Sequence, residues 1–273
     1  MPHETQRMSQ LLEYDFFIYA IVGIVLLSIS AAVIGTYIIT RRMVAIPGGV
    51  THACFGGLGL GYFLGISPLF MAGVFAIASS LGVELMSHRF KLRDDSAIAV
   101  VWAVGMAIGV LFIFMTPGYV PELNSFLFGS ILTVTPADLL NMLIYNVLLL
   151  AFFAWKYKEI VVCAFDRDFA AVNGLPVRFI TTIMTVFVAI GIVLTIKLVG
   201  VMMLLSVLSL PMMTAEVFCR RYHTIMFASM AISLIVSLSG LFLSTIIDVP
   251  CSAVIVLMMA VTFFLAKAIK ALR

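Results

Sequence analysis

Apolar residues do not alternate with polar ones along this chain. They come in long unbroken runs, at 16–39, 49–65, 69–86, 97–115, 139–155, 179–196, 199–218, 224–247 and 253–266, joined by short polar segments. A helix needs about 20 such residues, at ~1.5 Å rise each, to cross the hydrocarbon core of a bilayer. The pattern therefore predicts an all-α, polytopic transmembrane helical bundle of about nine spans. An outer-membrane barrel would require strands of ~10 residues alternating apolar and polar, which these runs are not. The joint at 196–200 is the weakest boundary, because only Lys197 and Gly200 interrupt it, so eight spans with one broken helix is the alternative. The first run is too long for a signal-peptide core and follows a mixed-charge start (Glu4, Arg7, Glu13, Asp15), which predicts a retained span.

Composition turns this pattern into a solvent assignment. Of 273 residues, 63% are hydrophobic and 11% charged, with a mean hydropathy of +1.21, whereas soluble domains run at roughly 45–50% apolar and about 25% charged. Nine spans use most of the length, so no sizeable extramembrane domain fits and the expectation is one transmembrane domain over 1–273. Cys54, Cys163, Cys219 and Cys251 form no CxxC pair and suggest neither a disulfide framework nor a zinc knuckle. The net charge of +3 is too small to imply nucleic-acid binding.

The basic residues set orientation, since Lys and Arg near span ends stay on the cytoplasmic side. With the N-terminus outside and the C-terminus inside, 14 of the 16 Lys and Arg residues fall inside, leaving Arg7 and Lys197 outside. Two connections are longer than a bundle needs. The outer one, 116–138, carries Pro117, Gly118, Pro121 and Pro136 and an apolar insert at 126–132 that could dip into the interface. The inner one, 156–178, contains a stretch at 164–176 that reads as one short amphipathic helix. Asp166 or Asp168 can cap its start, Phe165, Phe169, Ala170 and Val172 supply an apolar side, and Asn173-Gly174 ends it before Pro176.

Few groups are left to carry chemistry. No GxxxxGK[ST] loop and no Gly-Lys dipeptide occurs, so the chain has no phosphate cradle of that kind and is not read as an enzyme. Gly57, Gly61 and Gly65, at i, i+4 and i+8, lie on one helical face and let another helix approach closely, with a smooth substrate passage as the less favoured reading. His52 sits within an apolar run, where an ionisable group is a functional candidate and an imidazole a common ligand for divalent transition metals; the plainer alternative is a bond to the backbone of a neighbouring helix. Asp248 lies at the outer end of a span and either accepts a metal or proton or marks the water line. Glu84 is spaced to pair within its own helix, with His88 or Arg89. Lys197 can snorkel to the headgroups, and the methionine pairs are read as packing.

Several stretches then occur together in one order: Arg41-Arg42-Met43, His52-Ala-Cys-Phe-Gly-Gly57, Leu127-Phe-Gly-Ser-Ile131, Phe165-Asp-Arg-Asp-Phe-Ala170 with Gly174-Leu-Pro176, Gly200-Val-Met-Met-Leu-Leu205 with Pro211-Met-Met-Thr-Ala215, and Asp248-Val-Pro250. They resemble the membrane permease subunit of the zinc, manganese and iron ABC importers, and the resemblance covers nearly the whole chain. It implies a permease homodimer in the bacterial cytoplasmic membrane, two cytoplasmic ATPase subunits, an extracytoplasmic metal-binding protein, and a divalent metal as cargo with no resident cofactor. It makes 164–176 the segment that seats on the ATPase, through Phe165, Asp166, Phe169, Ala170, Gly174, Leu175 and Pro176. It also makes His52 a transient pathway ligand.

There is one departure. Members of that family typically read Gly-Asp-Ala-hydrophobic-Ser-His here, with an aspartate one helical turn before the histidine as a ligand pair. This chain has Gly48 at the aspartate position. A ligand from another helix (Asp248 or Glu122), a more weakly held metal, or a changed substrate would each account for it. A carrier driven by protons or sodium is the alternative function, and it would need paired carboxylates near the midplane.

Overall fold

The computed structural model of the chain describes residues 15–117, 129 and 131–272. Among these the structure is helical throughout, with no strand. In chain order the α-helices are α1 (Asp15–Thr40), α2 (Ile46–Leu64), α3 (Pro68–Arg89), α4 (Asp94–Met115), α5 (Pro136–Trp155), α6 (Tyr157–Phe165), α7 (Arg167–Val172), α8 (Val177–Phe218), α9 (Tyr222–Ile247) and α10 (Cys251–Ala271), with a 3-10 turn at Ile131–Thr133. Long apolar segments take this form because each backbone N–H and C=O is satisfied within its own helix, which lipid demands. Starts are set locally: prolines open α2, α3 and α5, where a missing N–H costs nothing, and Asp94 and Asp95 sit in the first turn of α4, facing the positive end of its dipole.

Among the described residues, seven helices are long and apolar enough to cross a membrane: α1, α3, α4, α5, α8, α9 and α10. α2 is not among these seven, being glycine-rich and mostly buried by its neighbours. The two runs expected at 179–196 and 199–218 form α8, 42 residues long with Gly200 at φ 79°, ψ 171° inside it. A straight helix of that length would measure about 63 Å, twice the ~30 Å core. The backbone angles at Gly200 are open only to glycine, so the interruption falls where the sequence placed its weakest boundary.

The chain divides into two compact units. The first takes Met1–Ala32, Ser125–Leu148 and Lys197–Arg273. Here Asn146 of α5 donates its side-chain N–H to the Leu26 carbonyl (2.9 Å), Ser233 of α9 bonds Ser28 of α1 (3.2 Å), and Gly240 lets α9 close onto Ile255 of α10. Gly129, at φ 53°, lies directly on the Val199–Gly200 backbone, so two of the recurring stretches, around 129 and around 200, meet. Lys197, expected to reach for headgroups, is instead paired with Asp138, whose carboxylate also accepts the Thr135 hydroxyl (2.7 Å). A buried carboxylate must be paired to be tolerated, and that demand outweighs snorkelling.

The second unit takes Val33–Asn124 and Leu149–Ile196. Its centre is α2, packed on α3 along one side and on α4 along another.

Candidate functional site

Glycine sets how closely the helices of the second unit approach. A Cβ at Gly57 would run into the Met71 carbonyl of α3, and one at Gly61 would lie 2.8 Å from the Pro68 Cα. These two positions pack as the i, i+4 spacing predicts. Gly65 does not continue the stripe. It is the left-handed C-cap of α2 (φ 67°), its N–H bonded to the Tyr62 carbonyl, with open space where a side chain would stand. The helix ends one residue before it, so its role is to stop α2 rather than to pack it. A second stripe, which the i, i+4 count passed over, faces α4. Cβ atoms at Gly56 and Gly59 would lie 2.8 and 2.5 Å from the carbonyl oxygens of Gly105 and Gly109. The signal was available, since Gly105 and Gly109 are themselves a GxxxG pair.

His52 is on this closely held helix. It is half-buried, and its ring stacks on Trp102 of α4 with centroids 4.2 Å apart and planes at 22°. Its Nδ1 lies 2.7 Å from the carbonyl oxygen of Gly48. A carbonyl only accepts, so this bond takes a proton on Nδ1, and in the neutral imidazole the free lone pair is then that of Nε2. The residue at the aspartate position thus still engages the histidine, through its backbone. Ligating histidines are commonly held in this way, with the second nitrogen donating to a carbonyl or carboxylate.

No group of three or more His, Cys, Asp or Glu gathers as a metal cage among the described residues. Cys54 is buried two positions beyond His52. Asp248 belongs to the other unit. It ends α9 in a left-handed conformation (φ 59°), is exposed, and lines a cavity of about 240 Å³ with Gly129, Ser244 and Cys251. Glu122, the other acidic candidate, and most of the 126–132 insert lie outside the described residues.

Within 164–176 the short helix that the sequence suggested is α7, Arg167–Val172, preceded by the last two residues of α6. α6 ends at Phe165, and Asp166, in extended conformation, begins α7 by accepting the Phe169 N–H on its side chain at 2.9 Å. Of the two aspartates, Asp166 is therefore the cap. The end is a Schellman closure: Gly174 (φ 72°) donates its N–H to Ala171 (3.0 Å), and Leu175 donates to Ala170 (3.1 Å). Phe165, Phe169 and Val172 are exposed at 65%, 58% and 88%, whereas Ala170 is fully buried. The single apolar side drawn through all four is thus corrected, because Ala170 is the inner side of α7, Phe169 and Val172 lie on its exposed side, and Phe165 is exposed at the end of α6. Cys163 is also buried, and burial, followed by the Glu159 charge, pushes its thiol up against a smaller opposing pull from Arg41. It stays a neutral thiol and a poor metal ligand. Replacing Asp166 with alanine is expected to cost about 1 kcal/mol of local stability and to speed amide exchange in 167–172, readable by hydrogen–deuterium exchange.

Glu84 reaches beyond its own helix. Its carboxylate reaches Arg167 of α7 at 3.5 Å and accepts the Thr185 hydroxyl of α8 at 3.0 Å.

Long apolar helices drawn together through glycine, one of them bearing an ionisable histidine, define a membrane-embedded helical protein. The chain belongs to the ABC 3 transport family, which it matches over residues 13–270. It is 34% identical to an uncharacterized membrane protein of Synechocystis, covering 97% of this chain and 94% of the relative. It is also 34% identical to a probable metal transport system membrane protein of Chlamydia pneumoniae, over 89% and 85% of the two chains. The manganese transport system membrane protein MntC of Listeria innocua is 27% identical over 95% and 92%. Among solved structures, PsaBC from Streptococcus pneumoniae in complex with Fab shares the fold with a TM-score of 0.83 at 24% identity, over 96% of this chain and 94% of that one.

Proposed function

We propose that this chain is the permease subunit of an ABC importer in the bacterial cytoplasmic membrane, moving a divalent transition metal inward. The relatives named for metal and manganese transport support that cargo. In this reading the chain makes nine spans, with α2 counted and α8 counted twice about Gly200, and runs from an outside N-terminus to an inside C-terminus. It works as a homodimer in membrane lipid, with ATP hydrolysed by cytoplasmic ATPases and the ion delivered by an extracytoplasmic binding protein. The 164–176 stretch is the coupling segment, presenting Phe165 and Phe169 to the ATPase with Pro176 at its far edge.

The observation that carries the site is the Nδ1 bond of His52 to Gly48. It fixes the ring's orientation and, in the neutral imidazole, leaves Nε2 as the nitrogen open to a passing cation. One neutral ligand suits passage, because an ion bound by a complete tetrahedral set would not leave.

The test is uptake of radioactive zinc, manganese and ferrous iron by cells carrying this chain with its ATPase. Wild type should accumulate at least one of the three, and only with the ATPase present. His52→Ala should lower the rate by about tenfold while leaving the protein in the membrane at normal abundance. Uptake that persists without the ATPase would replace this reading with a secondary carrier.

A further inference from the structure

Glu84 is a carboxylate on an apolar helix, with its side chain 18% exposed. Such a group is expensive in a membrane protein and is kept for a reason beyond packing. Its basic neighbours in sequence are His88 and Arg89, and it reaches as far as Arg167, 83 positions away in sequence and the first residue of α7. Arg41, another cation of the same unit, is occupied by the Tyr37 hydroxyl at 3.0 Å. The second contact, from Thr185, adds α8. One side chain thus joins α3, α7 and the 177–196 part of α8, all in the second unit.

We propose that Glu84 is the positioning residue through which movement of the coupling segment reaches the helix bearing His52, an inference that rests on the permease reading above. α7 is held at two points, Arg167 on Glu84 and the fully buried Ala170 at its base. A displacement of its exposed face therefore moves α3 as well as α7. α3 in turn cannot slide past α2, because Gly57 rests on the backbone of Met71 and Ala72. Two helices held this closely can move as one rigid body, which passes the motion on to α2. Replacing Glu84 with glutamine removes the charge that holds Arg167 and leaves the size of the side chain unchanged.

The experiment uses the full permease with its ATPase in lipid vesicles and the delivering binding protein supplied on the side opposite the ATPase. Wild type is first run with manganese, zinc and ferrous iron, and the metal it moves is used throughout. Metal moved per ATP hydrolysed is then compared in wild type, Glu84→Gln, Arg167→Gln and the double variant. Each single variant should assemble with the ATPase and hydrolyse ATP within about twofold of wild type while metal per ATP falls about tenfold, within the usual range of coupling between sites. The double variant should fall no further than either single one, since both remove the same contact. The proposal is overturned if Glu84→Gln keeps the wild-type ratio, if transport and hydrolysis fall in proportion as for a merely structural role, or if the two losses multiply. A wild-type chain that moves none of the three metals, or moves one without the ATPase, overturns the permease reading itself.

Discussion

Gly59→Leu is expected to abolish the folded protein. A Cβ alone at this position would stand 2.5 Å from the Gly109 carbonyl oxygen, and the obstacle is backbone, which cannot rotate away as a side chain can. α2 and α4 would have to separate along the seam that also carries Gly56 against Gly105. Overpacking a core costs about 1–3 kcal/mol even where side chains can yield, so the cost here is at or above the upper end, a large share of the total stability of roughly 5–15 kcal/mol. The measurement is the thermal midpoint and monodispersity of the detergent-solubilised protein. Gly73→Ala and Gly82→Ala are the controls. Both glycines lie in α3, where an added Cβ meets nothing within 4 Å, and alanine there should hold or raise stability by up to about 1 kcal/mol. Equal behaviour of the three variants would mean that α2 and α4 do not approach as described.

The second large effect concerns Phe169. Exposing an aromatic ring at 58% on a six-residue helix is justified if something covers it. Burying a phenylalanine contributes about 1.5–3 kcal/mol, so Phe169→Asp should weaken association with the ATPase by roughly tenfold to a hundredfold and take transport down with it. The permease itself should remain folded. Position 169 is in the first turn of α7, three residues after the Asp166 cap, where a carboxylate faces the favourable end of the helix dipole. Loss of assembly thus cannot be laid to unwinding of α7. Co-purification of the ATPase with the variant, alongside the thermal midpoint of the variant alone, separates the two. Unchanged co-purification would show that the ATPase sits elsewhere.

The helices were legible from local pattern because each satisfies its own backbone, and the run of apolar residues that requires this is visible in one dimension. The Gly200 break was legible for a similar reason, glycine being alone in tolerating φ 79° with ψ 171°. The cap at Asp166 and the closure at Gly174 were within reach, since both depend on residues no more than four positions apart. What local spacing missed were partners. Glu84 was read as pairing with neighbours on its own helix and reaches Arg167; Lys197 was sent to the lipid surface and meets Asp138. Gly65 was counted into a stripe whose helix had already ended.

The sequence by itself determined a bilayer-embedded helical chain, its breaks and caps, and His52 as an ionisable group in an apolar run. These follow from hydropathy, period and backbone permissiveness, which act over a few residues. The tertiary structure decided which glycines touch which backbone, which charge neutralises which, and that the Gly48 carbonyl holds His52 by Nδ1. Those outcomes depend on groups from separate helices, or on the orientation of one ring against its own turn, and a buried charge or a missing Cβ takes whatever partner the packing brings within about 4 Å.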